Sequence, residues 1–219
     1  MPGYLMKTVA VTIGGRSYKL RVLSDHQQYV ADQGAAELAG ISSATWPHFG
    51  QLWPAGSILA ERLASFPIEG KRILEIGCGM ALSSLVLHGR GADITASDHH
   101  PLAAEFLAHN CALNDMTSLR YVTAHWERPD VSLGSFEVIV ASDVLYERGH
   151  AVGIAGFIAR HAAASAEVLI SDPGRGNAPA LRRLLIDQGF VCDEHRLAFA
   201  SDERPPYRGR LLRFHRGII

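Results

Sequence analysis

Cysteine is scarce in this sequence. Cys78, Cys111 and Cys192 are the only three in 219 residues, and no CxxC pair occurs. Such spacing supports neither a disulfide framework nor a structural zinc site, and it fits a reducing, cytoplasmic setting. Excess charge is lacking too: 21 Lys and Arg stand against 22 Asp and Glu, a formal net charge of −1. Proteins that live on nucleic acid usually carry a clear basic excess, so no nucleic-acid partner is expected. The one basic concentration, Arg204, Arg208, Arg210, Arg213 and Arg216, reads as a solvated strand face and tail. No apolar run reaches about 20 residues, so neither a membrane span nor a membrane partner is expected. Residues Met1 to Lys7 lack a basic segment followed by a long apolar stretch, so no secretory leader is expected. His99 and His100 are adjacent and have no matched carboxylate cluster, so no metal is expected there.

What is present is a regular alternation. The apolar fraction of 47% suffices for a full core. Thr8 to Ile13 and Ser17 to Leu23 flank Gly14-Gly15 and read as a hairpin. Gln27 to Leu38 fits a helix, and Ile41 to Gly50 reads as a loop. From Ser57, Ile58, Leu59, Leu63 and Phe66 recur at helical spacing until Pro67. Strands are then expected at Arg72–Ile76, Asp93–Ser97, Tyr121–Ala124, Phe136–Ala141 and Glu167–Ser171. Helices are expected between them at Met80–Arg90, Pro101–Asn114 and Ile154–Ala164, with a last one at Ala180–Gln188. Two further strands, Phe190–Leu197 and Arg210–His215, have no helix between them and should pair antiparallel.

Short apolar strands alternating with helices predict an α/β, Rossmann-like, doubly wound sheet of seven strands. It should be mostly parallel with an antiparallel C-terminal hairpin, and carry a ligand crevice at the carboxyl ends of its strands. Residues 1–50 read as a small hairpin and helix extension, and 51–219 as the main domain of one compact unit.

The first strand of the alternation ends as Leu74-Glu75-Ile76-Gly77-Cys78-Gly79. Two glycines permit a tight turn that lets backbone approach a ligand. A lone G-x-G is weak evidence. Here it follows a strand and opens a helix, and Asp98 ends the next strand 21 positions after Gly77, where a carboxylate can accept hydrogen bonds from a ribose diol. Glu75 would repel a dinucleotide pyrophosphate, and Leu82 stands where the third dinucleotide glycine would be. S-adenosylmethionine, with its ammonium and sulfonium, suits an acidic rim better. Glu75 can also cap nearby backbone, and both roles can coexist.

Glu75-Ile76-Gly77-Cys78-Gly79 with Asp98 resembles the first two signature segments of class I, seven-β-strand methyltransferases that use S-adenosylmethionine. The resemblance implies that Glu75, Gly77, Cys78 and Gly79 line the amino-acid portion of the cofactor. It implies that Asp98, with His99 beside it, binds the ribose. His125 and Trp126 follow the third strand, near the adenine. Trp126 either walls the base or belongs to the core. Relatives often carry an aspartate where His125 stands.

Two more segments concern the acceptor: Leu52-Trp53-Pro54-Ala55-Gly56, and Ala141-Ser142-Asp143-Val144-Leu145-Tyr146-Glu147. Together they resemble the family-16 protein-lysine methyltransferases. Ser171-Asp172-Pro173-Gly174-Arg175 looks like the branch that methylates the electron-transfer flavoprotein β-subunit. The similarity runs from about Trp53 to the C-terminus. It implies that Trp53 and Ser142 border the cofactor, and that Asp143 and Tyr146 are catalytic: Asp143 binds and orients an amine, and Tyr146 offers a phenol and an aromatic face. The competing readings are a helix cap for Asp143 and packed wall or core positions for Tyr146 and Trp53. Arg204-Pro205-Pro206-Tyr207 superficially matches an acceptor motif of other methyltransferases, but it follows the wrong strand. The expected activity is methyl transfer to an amine, of a protein lysine first and of a small molecule (nicotinamide-methylase-like) second. A cofactor-binding module without turnover is the third reading. The acceptor, the number of methyl groups, the oligomeric state and the job of the hairpin stay open.

Overall fold

The computed structural model describes residues 4–25, 39–128, 133–198 and 208–217. Nine strands are present among them. β1 (Met6–Ile13) and β2 (Arg16–Leu23) form the expected antiparallel hairpin. β3 (Arg72–Ile76), β4 (Asp93–Asp98), β5 (Arg120–Thr123), β6 (Phe136–Ser142), β7 (Ala162–Asp172), β8 (Val191–Ala198) and β9 (Arg208–Arg216) form one sheet, in the order β5-β4-β3-β6-β7-β9-β8. Its first five strands run parallel, and β9 pairs antiparallel with both β7 and β8. The doubly wound sheet and its C-terminal hairpin are therefore as expected.

Helices cover both faces: α1 (Pro54–Leu63), α2 (Leu82–His88), α3 (Ala103–Leu113), α4 (His150–His161) and α5 (Ala178–Asp187). The pleat sends alternate strand residues to opposite faces. Ile73, Val138 and Val140 join Leu59, Leu63, Leu85 and Phe106 on the side of α1, α2 and α3. Leu74, Ile76 and Ile139 join Ile154, Phe157, Ile158 and Leu181 on the side of α4 and α5. Each such side chain taken fully out of water contributes about 1.5–3 kcal/mol.

The hairpin is tied to the first of these cores. Tyr18, Leu20 and Val22 point inward from β2, as their alternation requires. The edge of β2 is satisfied by asparagine side chains: the N–H of Lys19 donates to Asn114 Oδ1 at 2.8 Å, and the N–H of Arg21 donates to Asn110 Oδ1 at 2.7 Å.

Several boundaries differ from the sequence reading. The helix expected from Ser57 begins at Pro54, because proline at the first helical position has no N–H to lose, and it closes at Leu63 so that Phe66 packs beyond it. The helix expected from Met80 begins at Leu82, because Ala81 is left-handed at φ 65°. The helix expected to reach Ala164 stops at His161, and Ala162 pairs with Phe136 as the start of β7. Within the expected loop 41–50, Trp46–Gly50 forms a 3-10 helix. The helix expected at Gln27–Leu38 and the Arg204–Tyr207 segment lie outside the described residues. No helix among the described residues is long and apolar enough to cross a membrane.

Candidate active site

Strand order reverses at β3: the chain runs from it to β4 and β5 on one side and then returns to β6 on the other. Open α/β sheets form their ligand crevice at such a point, outside the carboxyl ends of the strands. A cleft open to solvent at its mouth lies there.

The glycine turn forms its floor. Gly77 and Gly79 hold φ of 61° and 52°, a region costly for other residues. Both are also crowded. A Cβ on Gly77 would lie 2.8 Å from Val144 Cγ1, and one on Gly79 would lie 2.6 Å from the carbonyl oxygen of Phe49. Asp98 braces the turn: its Oδ2 accepts the N–H of Gly79 and its Oδ1 the N–H of His100, each at 2.8 Å. Each carboxylate oxygen can accept a second bond, so a vicinal diol in the cleft still finds two acceptors.

Glu75 is 2% exposed and accepts the backbone N–H and the hydroxyl of Ser84 at the start of α2. Burial raises its pKa from 4.5 to about 7, against the opposing pull of the Ser84 hydrogen bonds. Capping and cleft lining thus coexist in one residue. Burial, with Asp98 and Glu75 nearby, pushes the Cys78 thiol well up, which leaves it a protonated filler of the turn.

The opposite wall is aromatic. Trp53 Nε1 donates to the carbonyl of His48 at 2.9 Å, and the rings of the two residues meet edge-on. The ring of His48 meets Tyr146, Tyr146 meets His150, and His150 meets Trp126, all edge-on. His100 stacks on Phe49 at 3.8 Å between ring centres, and burial drives its pKa down to about 3, so it is a neutral imidazole.

Asp143 follows β6 with a left-handed φ of 52°, and its N–H donates to Ser171 on β7. Both of its carboxylate oxygens are forked by Arg175, from Nε and Nη2 at 2.9 Å each. Burial pushes the phenol of Tyr146 well up, with Asp98, Glu147 and Asp143 adding to the effect, so it is an un-ionised hydroxyl. Asp172 ends β7 beneath this pair, 1% exposed, and accepts the N–H of Gly174.

The cleft thus brings together Trp53, Glu75, Gly77, Cys78, Gly79, Asp98, His99, Trp126, Ser142, Asp143 and Tyr146. His125 is not among its lining; its ring centre lies 5.8 Å from that of His99. Sequence reasoning missed His48, Phe49, His100 and Arg175, which also line it. The aromatic run Trp46-Pro47-His48-Phe49 in a supposed loop was the available signal for two of them.

A family model described as lysine methyltransferase matches residues 48–178. The chain belongs to the lysine methyltransferase family. The family is one of S-adenosylmethionine-dependent methyltransferases, and its structural neighbours include methyltransferases solved with AdoMet or with SAH bound. Among curated lysine methyltransferases, the chain is 30% identical over 145 residues to the electron transfer flavoprotein beta subunit enzyme of Xenopus laevis, covering 63% of this chain and 58% of that protein. It is 29% identical over 138 residues to the calmodulin-lysine N-methyltransferase of Arabidopsis thaliana, covering 58% of this chain and 45% of that one. The chain therefore spans about half the length of the curated relatives it matches. In fold, this lysine methyltransferase family member is similar to a 16S rRNA methyltransferase of T. thermophilus solved with AdoMet and guanosine. That match has a TM-score of 0.66 and 16% identity, and covers 97% of this chain and 51% of the other.

Proposed function

We propose that this chain transfers the methyl group of S-adenosylmethionine to an amine, the side chain of a protein lysine. The observation that carries the reading is the single cleft in which the acidic, glycine-floored donor half meets Asp143 and un-ionised Tyr146. Two of the matched relatives are named for methylating protein lysines, in electron transfer flavoprotein and in calmodulin, which supports the same acceptor class here.

The donor half fits the cofactor. Asp98 retains acceptor capacity for the ribose hydroxyls, Glu75 supplies negative charge toward the amino-acid portion, and glycines at 77 and 79 leave the floor open. S-adenosylmethionine supplies an electrophilic methyl group when bound.

The protein must then present a nucleophilic lone pair. A free lysine has a pKa of about 10.4, so deprotonating it at pH 7 costs about 4.6 kcal/mol. Desolvation within an aromatic wall lowers that cost by disfavouring the ammonium. Asp143 and Tyr146 orient the amine, and orientation alone contributes several kcal/mol to such a two-substrate step.

The test is incubation with S-adenosylmethionine carrying a labelled methyl group and a protein extract whose own enzymes have been heat-inactivated. A discrete labelled polypeptide, with the label recovered as methyllysine, is the expected result. Label confined to small molecules would replace the acceptor with a metabolite amine. Calorimetric binding of S-adenosylhomocysteine without any turnover would reduce the chain to a binding module.

A further inference from the structure

The pair between Arg175 and Asp143 places a guanidinium where the proposed function calls for an amine. Asp143 has a side chain only 8% exposed, while that of Arg175 is 43% exposed. Arg175 stands between Gly174 and Gly176, at φ of 89° and 95°. A Cβ on Gly176 would meet nothing within 4 Å, so backbone conformation, not crowding, is what calls for glycine there. The segment is tied at both ends: Gly174 N–H donates to Asp172 Oδ2 at 3.0 Å, and Asn177 Nδ2 donates to the carbonyl of Leu145 at 2.8 Å. Arg175 is thereby delivered to Asp143 from a loop with fixed ends.

We infer that Arg175 is a positioning residue that sets the charge of the acceptor seat, holding Asp143 neutralised so that the amine is taken up as its free base. This inference rests on the amine methyltransferase reading of the cleft. A bare carboxylate within about 4–6 Å of an ionisable group favours its charged form by one to three pK units. A lysine held that way would be bound well and methylated poorly, because an ammonium has no lone pair. A guanidinium stays charged at every accessible pH, so its compensation of Asp143 does not titrate away.

The other groups facing the seat leave this balance in place. Asp172, from β7, lies 3.9 Å from the Arg210 guanidinium of β9, which in turn bonds Glu194 at 2.9 Å. Tyr146 is un-ionised. Glu147 lies 3.5 Å from His150, and the ring of His48 meets Tyr146 from the 3-10 helix. Asp98 lies in the donor half, hydrogen-bonded to Gly79.

The test compares wild type, Arg175→Gln and Arg175→Lys. Tritiated methyl transfer from S-adenosylmethionine to acid-precipitable protein of a heat-inactivated extract is followed from pH 6 to pH 10, at limiting and at saturating extract. Arg175→Gln is expected to lower the apparent KM for extract protein. It should lower the saturated rate at pH 7 by about 10- to 100-fold and move the rising limb of the pH profile up by about one to two pH units. Near pH 10 the two rates should converge, and Arg175→Lys should restore most of the profile. Binding of S-adenosylhomocysteine by calorimetry should stay within twofold in all three. An unmoved pH profile in Arg175→Gln, or an equal loss at every pH, would overturn the inference while leaving the amine reading intact. A wild-type protein that labels neither protein nor small molecules of the extract would overturn both.

Discussion

Asn110 connects the hairpin to the glycine turn. Buried in α3, it donates from Nδ2 to the carbonyl of Met80 at 3.1 Å and accepts the N–H of Arg21 at 2.7 Å. One side-chain amide thus satisfies the backbone of β2 and the backbone just after Gly79. A buried backbone group stripped of its partner costs about 1–3 kcal/mol. Asn110→Ala is therefore expected to lower stability by about 2–5 kcal/mol in chemical denaturation. It should also weaken S-adenosylhomocysteine binding, although residue 110 is not in the cleft lining. Asn114→Ala, which releases Lys19 but not Met80, is the comparison: a similar loss of cofactor affinity there would show that Asn110 acts through the hairpin alone.

Glu75 makes both cofactor affinity and stability pH-dependent. Its pKa is raised to about 7, chiefly by burial. The ammonium of the cofactor's amino-acid portion prefers the ionised form, so affinity is lost as pH falls through 7. Between pH 8 and pH 6 the ionised fraction drops about tenfold, and the Kd for S-adenosylhomocysteine should rise by a similar factor. Stability of the free protein runs the other way. A folded-state pKa above the unfolded value favours folding below about pH 4.5 and loses that contribution as pH rises through about 7. Burial also raises the pKa of Asp172 and adds a dependence of the same sign. Glu75→Gln should accordingly flatten only part of the fall in Tm between pH 5 and pH 8, while abolishing the pH dependence of binding. A binding curve that keeps its full slope in Glu75→Gln would remove Glu75 from the cofactor site.

Much of the donor half was legible in the sequence, because it is built from contiguous signals. Gly77 and Gly79 follow an apolar strand, and Asp98 ends the next one, so strand periodicity alone carries both to the same edge of the sheet. The acceptor half was less legible, because it is made by pairings between distant strand ends. Asp143 and Arg175 are 32 residues apart, and no local pattern says that their side chains meet. Phe49 came from a segment that reads as loop, and its placement against Gly79 depends on a 3-10 turn too short for periodicity to reveal. Asn110 sits mid-helix like any surface amide; no local pattern says that it is buried between β2 and the backbone of Met80. His125 shows the converse: it is next to Trp126 in sequence, yet it is not among the residues that line the cleft.

Gly79 is constrained twice, by conformation and by the carbonyl of Phe49. Gly70 has a similar φ of 66° and nothing within 4 Å of its would-be Cβ. Placing a side chain at a left-handed position costs about 1–2 kcal/mol. Gly70→Ala should show that cost alone and leave cofactor binding unchanged. Gly79→Ala should cost more, because the 3-10 segment Trp46–Gly50 must move away, and should abolish measurable S-adenosylhomocysteine binding. Equal losses of stability in the two variants, measured by urea denaturation, would mean that the 3-10 segment yields freely.

Asp143 is best tested with asparagine. Its φ of 52° suits Asn and Asp better than Ala, so Asp143→Asn removes the charge without adding backbone strain. The bidentate acceptance of Arg175 is lost, because an amide offers one acceptor oxygen where a carboxylate offers two. If Asp143 orients the acceptor, S-adenosylhomocysteine affinity should stay within about twofold while transfer to protein falls by at least about tenfold, a loss of about 1.4 kcal/mol in transition-state stabilisation. Tyr146→Phe separates shape from chemistry at the neighbouring position. It keeps the ring that meets His48 and His150 and deletes only the hydroxyl. Unchanged transfer in Tyr146→Phe would leave the tyrosine as an aromatic wall. Unchanged transfer in Asp143→Asn would mean that the carboxylate serves only to hold Arg175.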